Sequence, residues 1–145
     1  MKTLFSRAAV AGLLMGASLL ATADDLKSVE APAGAKVFIV SPEDGATVDK
    51  TFTVKFGIEG MKLAPAGDAT PNTGHHHLLV DVDQQPPADQ PLPVTDHILH
   101  FGKAQTETTL TLTPGKHTLQ LLLGDRFHVP FKPAVESKKI TVTVK

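Results

Sequence analysis

The sequence has 145 residues with a formal net charge of −1, and it contains no cysteine, tryptophan or tyrosine. A chain without cysteine forms no disulfide and offers no thiolate to a metal, and the nearly balanced charge shows no basic patch of the kind that binds nucleic acid. The lack of tryptophan and tyrosine also removes the usual stacking platforms for sugars and bases.

The N-terminus has the pattern of a secretory signal peptide. Lys2 and Arg7 precede an apolar run over residues 8–20, and small residues at 21 and 23 form a cleavage signature. We therefore predict a signal peptide at residues 1–23 and a periplasmic or secreted protein. The apolar run is shorter than the ~20 residues that span a bilayer, so we expect no membrane insertion after cleavage. An uncleaved anchor is the alternative.

The remaining chain is predicted to be one β-domain. Residues 24–35 are small and polar and indicate a flexible leader, and residues 36–145 alternate short apolar runs with turn formers. The predicted strands cover residues 36–40, 51–58, 75–83, 97–101, 106–112, 117–123 and 137–144. About seven short strands and no helical period predict an all-β immunoglobulin-like sandwich, with a small barrel as the alternative. The proline-rich segment 84–96 is expected to be irregular.

Three consecutive histidines begin the third predicted strand. Leu78 and Val80 are its better inward residues, so His76 is expected to point inward with them, while His75 and His77 point outward. Two outward histidines at i and i+2 are about 7 Å apart at Cα, since a strand rises ~3.3 Å per residue. Both can therefore bind one ion.

Immunoglobulin strand order brings more histidines to this end of the sandwich. The connections after the second, fourth and sixth strands share one end, which also places Asp125 there. By the same order His97 and His117 lie away from it. The histidines predicted to converge are His75, His76, His77, His100 and His128.

Several motifs resemble those of the bacterial family called domain of unknown function 4399. They are the segments 74–79, 100–102, 105–108, 114–125 and 128–130, within a resemblance that extends over roughly residues 37–144. The resemblance implies a small exported domain of Gram-negative-type bacteria and supplies no activity. It also leads us to expect a histidine where this chain has Phe131, so a site that used that histidine would be weaker here.

The converging imidazoles predict a metal site for Cu(II) or Zn(II), with His76 as the substitute ligand if the strand faces the other way. Each of these residues also has a simpler interpretation. The three consecutive histidines can be merely polar residues at the start of a strand, and His76 and His117 can be buried, hydrogen-bonded rings. Asp81 and Asp83 can face solvent, and Asp125 can form a turn.

The sequence does not favour an enzyme or an organic cofactor. The serines after residue 23 do not lie in a strand–turn–helix elbow, and no cysteine nucleophile exists. The alternative to metal binding is a non-catalytic interaction module that binds an envelope protein or a glycan. Outward Leu79 and Leu122 would form an apolar patch that suits such a partner or a homodimer.

Overall fold

A computed structural model describes residues 27–145, and the predicted signal peptide lies outside this range. The described chain forms two β-sheets. Their strands are β1 (Lys36–Ser41), β2 (Thr47–Val48), β3 (Thr51–Glu59), β4 (Lys62–Leu63), β5 (Thr73–Val80), β6 (Ile98–His100), β7 (Glu107–Thr111), β8 (Gly115–Gly124) and β9 (Ile140–Val144).

The two sheets form the predicted all-β sandwich of immunoglobulin-like type. The smaller sheet has the order β1-β3-β7, and the larger one has the order β2-β9-β8-β5-β4, with β6 also paired to β5. Residues 27–145 contain no helix. Within this range, accordingly, there is no helix with the length and apolar character needed to cross a membrane.

Alternating apolar residues form the main core between the sheets. On β3, Val54 and Phe56 are buried, while their neighbours Thr53 and Lys55 are exposed. On β8, the inward residues predicted from the sequence are confirmed, since Leu119, Leu121 and Leu123 all belong to this core. Period-2 alternation therefore determines which side chains face the opposite sheet.

The predicted exposed patch of Leu79 and Leu122 is wrong. Both side chains do point to the outer face of the larger sheet, but they are almost fully buried. They pack with Leu92 from the proline-rich segment and with Ile98 of β6, forming a second, smaller apolar core. The proline-rich segment is irregular as predicted, and it covers this face of the sheet.

The pairing of β6 with β5 brings one of the predicted site residues to the histidine strand. His77 on β5 lies opposite His100 on β6 and opposite Leu122 on β8, and His75 lies opposite Gly124. The end of β6, the start of β5 and the end of β8 therefore meet at one end of the sandwich. β5 is shorter than predicted because it ends at Val80.

The part of the predicted leader that the structure describes lies beside a later segment. Ala31 N–H donates to Lys132 O, and Lys132 N–H donates to Val29 O. Glu30 and Lys132 thus form a short parallel bridge.

Candidate metal centre

Four imidazoles meet on the outer face of the larger sheet, at the end where β5 begins. Each offers one nitrogen, and these four nitrogens all lie within 4.8 Å of one another. Two of the rings belong to β5, one to the end of β6 and one to the loop between β8 and β9. The residues are His75, His77, His100 and His128, hereafter the histidine cluster.

Strand geometry explains why two of these rings face the same way. Successive side chains of a strand point to opposite faces, so residues at i and i+2 share one face. His75 and His77 occupy the outer face, as predicted, and their ring centroids are 4.9 Å apart. Their neighbour His76 points into the main core.

The ring nitrogens approach within hydrogen-bond distance. His75 Nε2 lies 2.9 Å from His128 Nδ1 and 3.1 Å from His100 Nε2. The six distances between ring centroids range from 4.5 Å for His100 and His128 to 5.8 Å for His77 and His128. Two strands and one loop thus bring these nitrogen atoms into one small volume.

Burial keeps the strand histidines neutral. His75 and His77 are fully buried, whereas His100 and His128 are half-buried at the rim. Burial, reinforced by the neighbouring imidazoles, lowers the pKa of His75 to about 4 and that of His77 to about 3. The pKa of His100 is lowered by burial and by His128. Neutral imidazole is the form that coordinates a metal.

Several buried nitrogens of the histidine cluster have no hydrogen-bond partner. They are Nδ1 of His75 and both ring nitrogens of His77. A buried polar atom without a partner costs about 1–3 kcal/mol, so most such atoms in folded proteins are paired. Coordination of an ion through one nitrogen per ring would account for one of the two His77 nitrogens, but not for Nδ1 of His75, whose Nε2 is the atom that faces the other rings.

The loop that carries His128 is held by Asp125. The buried Asp125 carboxylate accepts hydrogen bonds from the backbone N–H groups of Phe127 (2.8 Å) and Val129 (3.0 Å). The N–H of His128 donates to Asp125 O. His128 itself has a φ of 67°, a left-handed conformation that is unfavourable for a non-glycine residue. Asp125 was predicted to converge on the site, and the structure gives it this turn-forming role.

Two glycines, which the sequence analysis did not identify as site residues, make room for the rings. A Cβ on Gly102 would lie 2.3 Å from His100 Cε1, and one on Gly124 would lie 2.6 Å from His77 Cε1. Real Cβ atoms do not approach so closely, so any other residue at either position displaces a ring. In the sequence, Gly102 follows His100 by two residues, and Gly124 follows the apolar run of the predicted sixth strand; no other signal marked them.

The inclusion of His76 in the predicted metal site is not supported. Its ring lies in the main core against Phe56, at a centroid distance of 5.2 Å, and burial lowers its pKa to about 4. Neither of its ring nitrogens has a hydrogen-bond partner. The His76 ring is therefore buried, as expected, but it is not hydrogen-bonded. The reversed strand facing, which would have made His76 a ligand, does not occur.

The two remaining histidines lie away from the cluster, as predicted. His97 Nδ1 is 2.9 Å from Val80 O. His117 donates from Nδ1 to Asp81 and from Nε2 to Thr113 O, both at 2.7 Å. The hydrogen bond to Asp81 raises the pKa of His117. Asp81 is exposed, as expected, and it is also this partner of His117.

Phe131 replaces the histidine that the family resemblance led us to expect. Its ring is buried in the main core, close to Gly74 at the start of β5. The four imidazoles therefore meet without any contribution from this position.

Comparisons with known proteins give a family and no activity. The family model described as domain of unknown function (DUF4399) matches residues 54–145. No curated protein matches the chain. A solved structure of fibronectin(III)-like modules of Clostridium thermocellum CbhA is similar at 14% identity and a TM-score of 0.34, covering 74% of this chain and 92% of that one. The fold assignment depends on the strand pairing described above.

Proposed function

We propose that this chain, which belongs to the DUF4399 family of domains of unknown function, is a metal-binding protein for Zn(II) or Cu(II). The observation that carries the proposal is the convergence of four nitrogens within 4.8 Å. Imidazole is a favoured ligand of both ions. The proposed ligands are His75, His77, His100 and His128.

The alternative of a merely structural histidine cluster fits the geometry less well. Structural imidazoles are normally paired through both nitrogens, as His117 is. His77 is fully buried with both nitrogens unpaired, and its pKa is lowered mainly by burial and further by the neighbouring imidazoles. His76 is unpaired in the core as well, so unpaired nitrogens alone do not distinguish a metal site from packing. What distinguishes the histidine cluster is that four rings bring one nitrogen each within 4.8 Å of one another, where an ion would use one lone pair from each ring.

We propose a binding role without catalysis. A four-coordinate ion held by four protein ligands has a closed coordination sphere, whereas catalytic zinc sites keep one position open for water or substrate. No organic cofactor is required by this proposal.

We further propose that the protein is exported and acts in the periplasm or as a secreted protein. The support is the signal-peptide pattern of residues 1–23, with small residues at 21 and 23. Intact-mass measurement of protein from the cell envelope tests this, since cleavage gives a chain that begins at Asp24. A product that retains residues 1–23 would contradict it.

The metal proposal is tested by calorimetric titration of protein expressed from the full chain without a tag. Zn(II) or Cu(II) should bind with a stoichiometry of one. The double change His75→Ala/His77→Ala should abolish binding because it removes both strand ligands. His97→Ala is the matched control, since it removes an imidazole outside the cluster and should leave affinity unchanged. Unchanged affinity in the double variant would favour the interaction-module alternative, with an envelope protein, a glycan or a second copy as partner.

A further inference from the structure

The arrangement of the four rings in space is informative about the kind of ion. We infer that the histidine cluster imposes tetrahedral coordination, which suits Zn(II), and works against the square-planar arrangement that Cu(II) prefers. This inference rests on the proposed metal binding and goes further, because it distinguishes between the two candidate ions.

Ring separations discriminate between the two geometries. Metal–nitrogen bonds of about 2.0–2.1 Å put each centroid about 3.2 Å from the ion, so a tetrahedral site has six centroid separations of about 5.2 Å. A square site has four of about 4.5 Å and two of about 6.4 Å, by the same bond length. The observed values are 4.5, 4.9, 4.9, 5.0, 5.2 and 5.8 Å. None reaches the diagonal of a square, and most lie close to the tetrahedral value.

The two short nitrogen–nitrogen distances are close to the ~2.9 Å of adjacent ligands in a square, so it is the choice of opposite pairs that excludes a square. Opposite nitrogens of a square site are about 4.1 Å apart, but His75 Nε2 lies 2.9 Å from His128 Nδ1 and 3.1 Å from His100 Nε2. Neither His128 nor His100 can therefore be the ligand opposite His75 in a square, and that position would fall to His77. The other opposite pair would then be His100 and His128, whose centroids are the closest of all at 4.5 Å.

The surrounding chain opposes a rearrangement to a square. His75 and His77 have a fixed spacing on one strand, which is paired with β8 on one side and with β6 on the other. The His128 loop is held by the two hydrogen bonds to Asp125. The His100 ring packs against Gly102. A bound ion therefore adopts the geometry that the protein presents.

Spectroscopy of the metal-loaded, tag-free protein tests this inference. Co(II) in a tetrahedral site gives intense visible d–d bands, several-fold stronger than those of an octahedral site, and Zn(II) should abolish them by displacement. Cu(II) should give an electron paramagnetic resonance spectrum with a compressed parallel hyperfine splitting, typical of tetrahedral distortion. The variant His128→Asn is the matched comparison: with one ligand removed, the Cu(II) splitting should increase towards the tetragonal value and the Co(II) bands should weaken.

The outcomes separate this inference from the proposal on which it rests. Weak octahedral Co(II) bands, or an ordinary tetragonal Cu(II) spectrum in the parent protein, would overturn the tetrahedral inference while leaving metal binding intact. If Co(II), Zn(II) and Cu(II) all fail to bind, both the inference and the proposed function are wrong.

Discussion

The loop that carries His128 is expected to depend on the carboxylate of Asp125. In the change Asp125→Ala, the N–H groups of Phe127 and Val129 lose their common acceptor, and the left-handed conformation of His128 loses its support. Hydrogen bonds to a charged group contribute about 1.5–3 kcal/mol each. Phe127 is exposed, so water can replace part of this loss. We therefore expect the free energy of unfolding to fall by about 2–4 kcal/mol.

The same change should weaken Zn(II) binding, because His128 would no longer be held at its position in the cluster. Changes to groups that orient a metal ligand typically reduce affinity by about 10–100-fold. Asp125→Asn is the matched control, since its amide oxygen can still accept both N–H groups. It should retain most of the affinity and most of the stability.

Two measurements check this prediction. Urea unfolding of the metal-free variants gives the loss of stability, and competition with a chromophoric chelator gives the Zn(II) affinity. If Asp125→Ala binds Zn(II) as tightly as the parent, Asp125 does not position His128. If Asp125→Asn loses as much affinity as Asp125→Ala, hydrogen-bond acceptance is not the relevant property.

Three further changes probe other parts of the fold. Leu122→Ala should lower the free energy of unfolding by about 2–5 kcal/mol, because Leu122 is buried in the second core. The same change at an exposed leucine would cost about 0.5 kcal/mol or less. Chemical denaturation distinguishes a buried from an exposed Leu122. Gly102→Ala should displace the His100 ring and weaken Zn(II) binding about tenfold or more with little loss of stability. His117→Gln should lower the free energy of unfolding more at about pH 6 than at about pH 9. Asp81 raises the pKa of His117 in the folded protein above the unfolded value of ~6.5. The stabilisation by the charged ring is therefore complete below about pH 6.5 and is lost as the pH rises through the folded pKa. Equal penalties at the two pH values would contradict this last prediction.

Local patterns in the sequence were sufficient to predict seven of the nine strands and the facing of the central histidines, whereas the two-residue strands β2 and β4 were not predicted. Alternation over a few residues reports which side chains share a face, and this is why the outward positions of His75 and His77 and the inward positions of Leu119, Leu121 and Leu123 were predicted correctly. Strand order also predicted His100 and His128 at the same end, although β6 pairs with β5 in the larger sheet and not with the smaller sheet, where immunoglobulin order places the fourth strand. Each of these predictions needs only the period of a strand and the order of strands in a sandwich.

The tertiary structure decided what covers each face. The proline-rich segment has no periodicity, so its sequence does not show that Leu92 packs over Leu79 and Leu122 and buries a face that was expected to be exposed. It also took the structure to show that His76 has no hydrogen-bond partner in the core, and to decide between the two sequence interpretations of Asp125 in favour of the turn that holds the His128 loop. Contacts between segments far apart in the chain depend on how loops pack after the sheets have formed, and the period of a single strand contains no information about that packing.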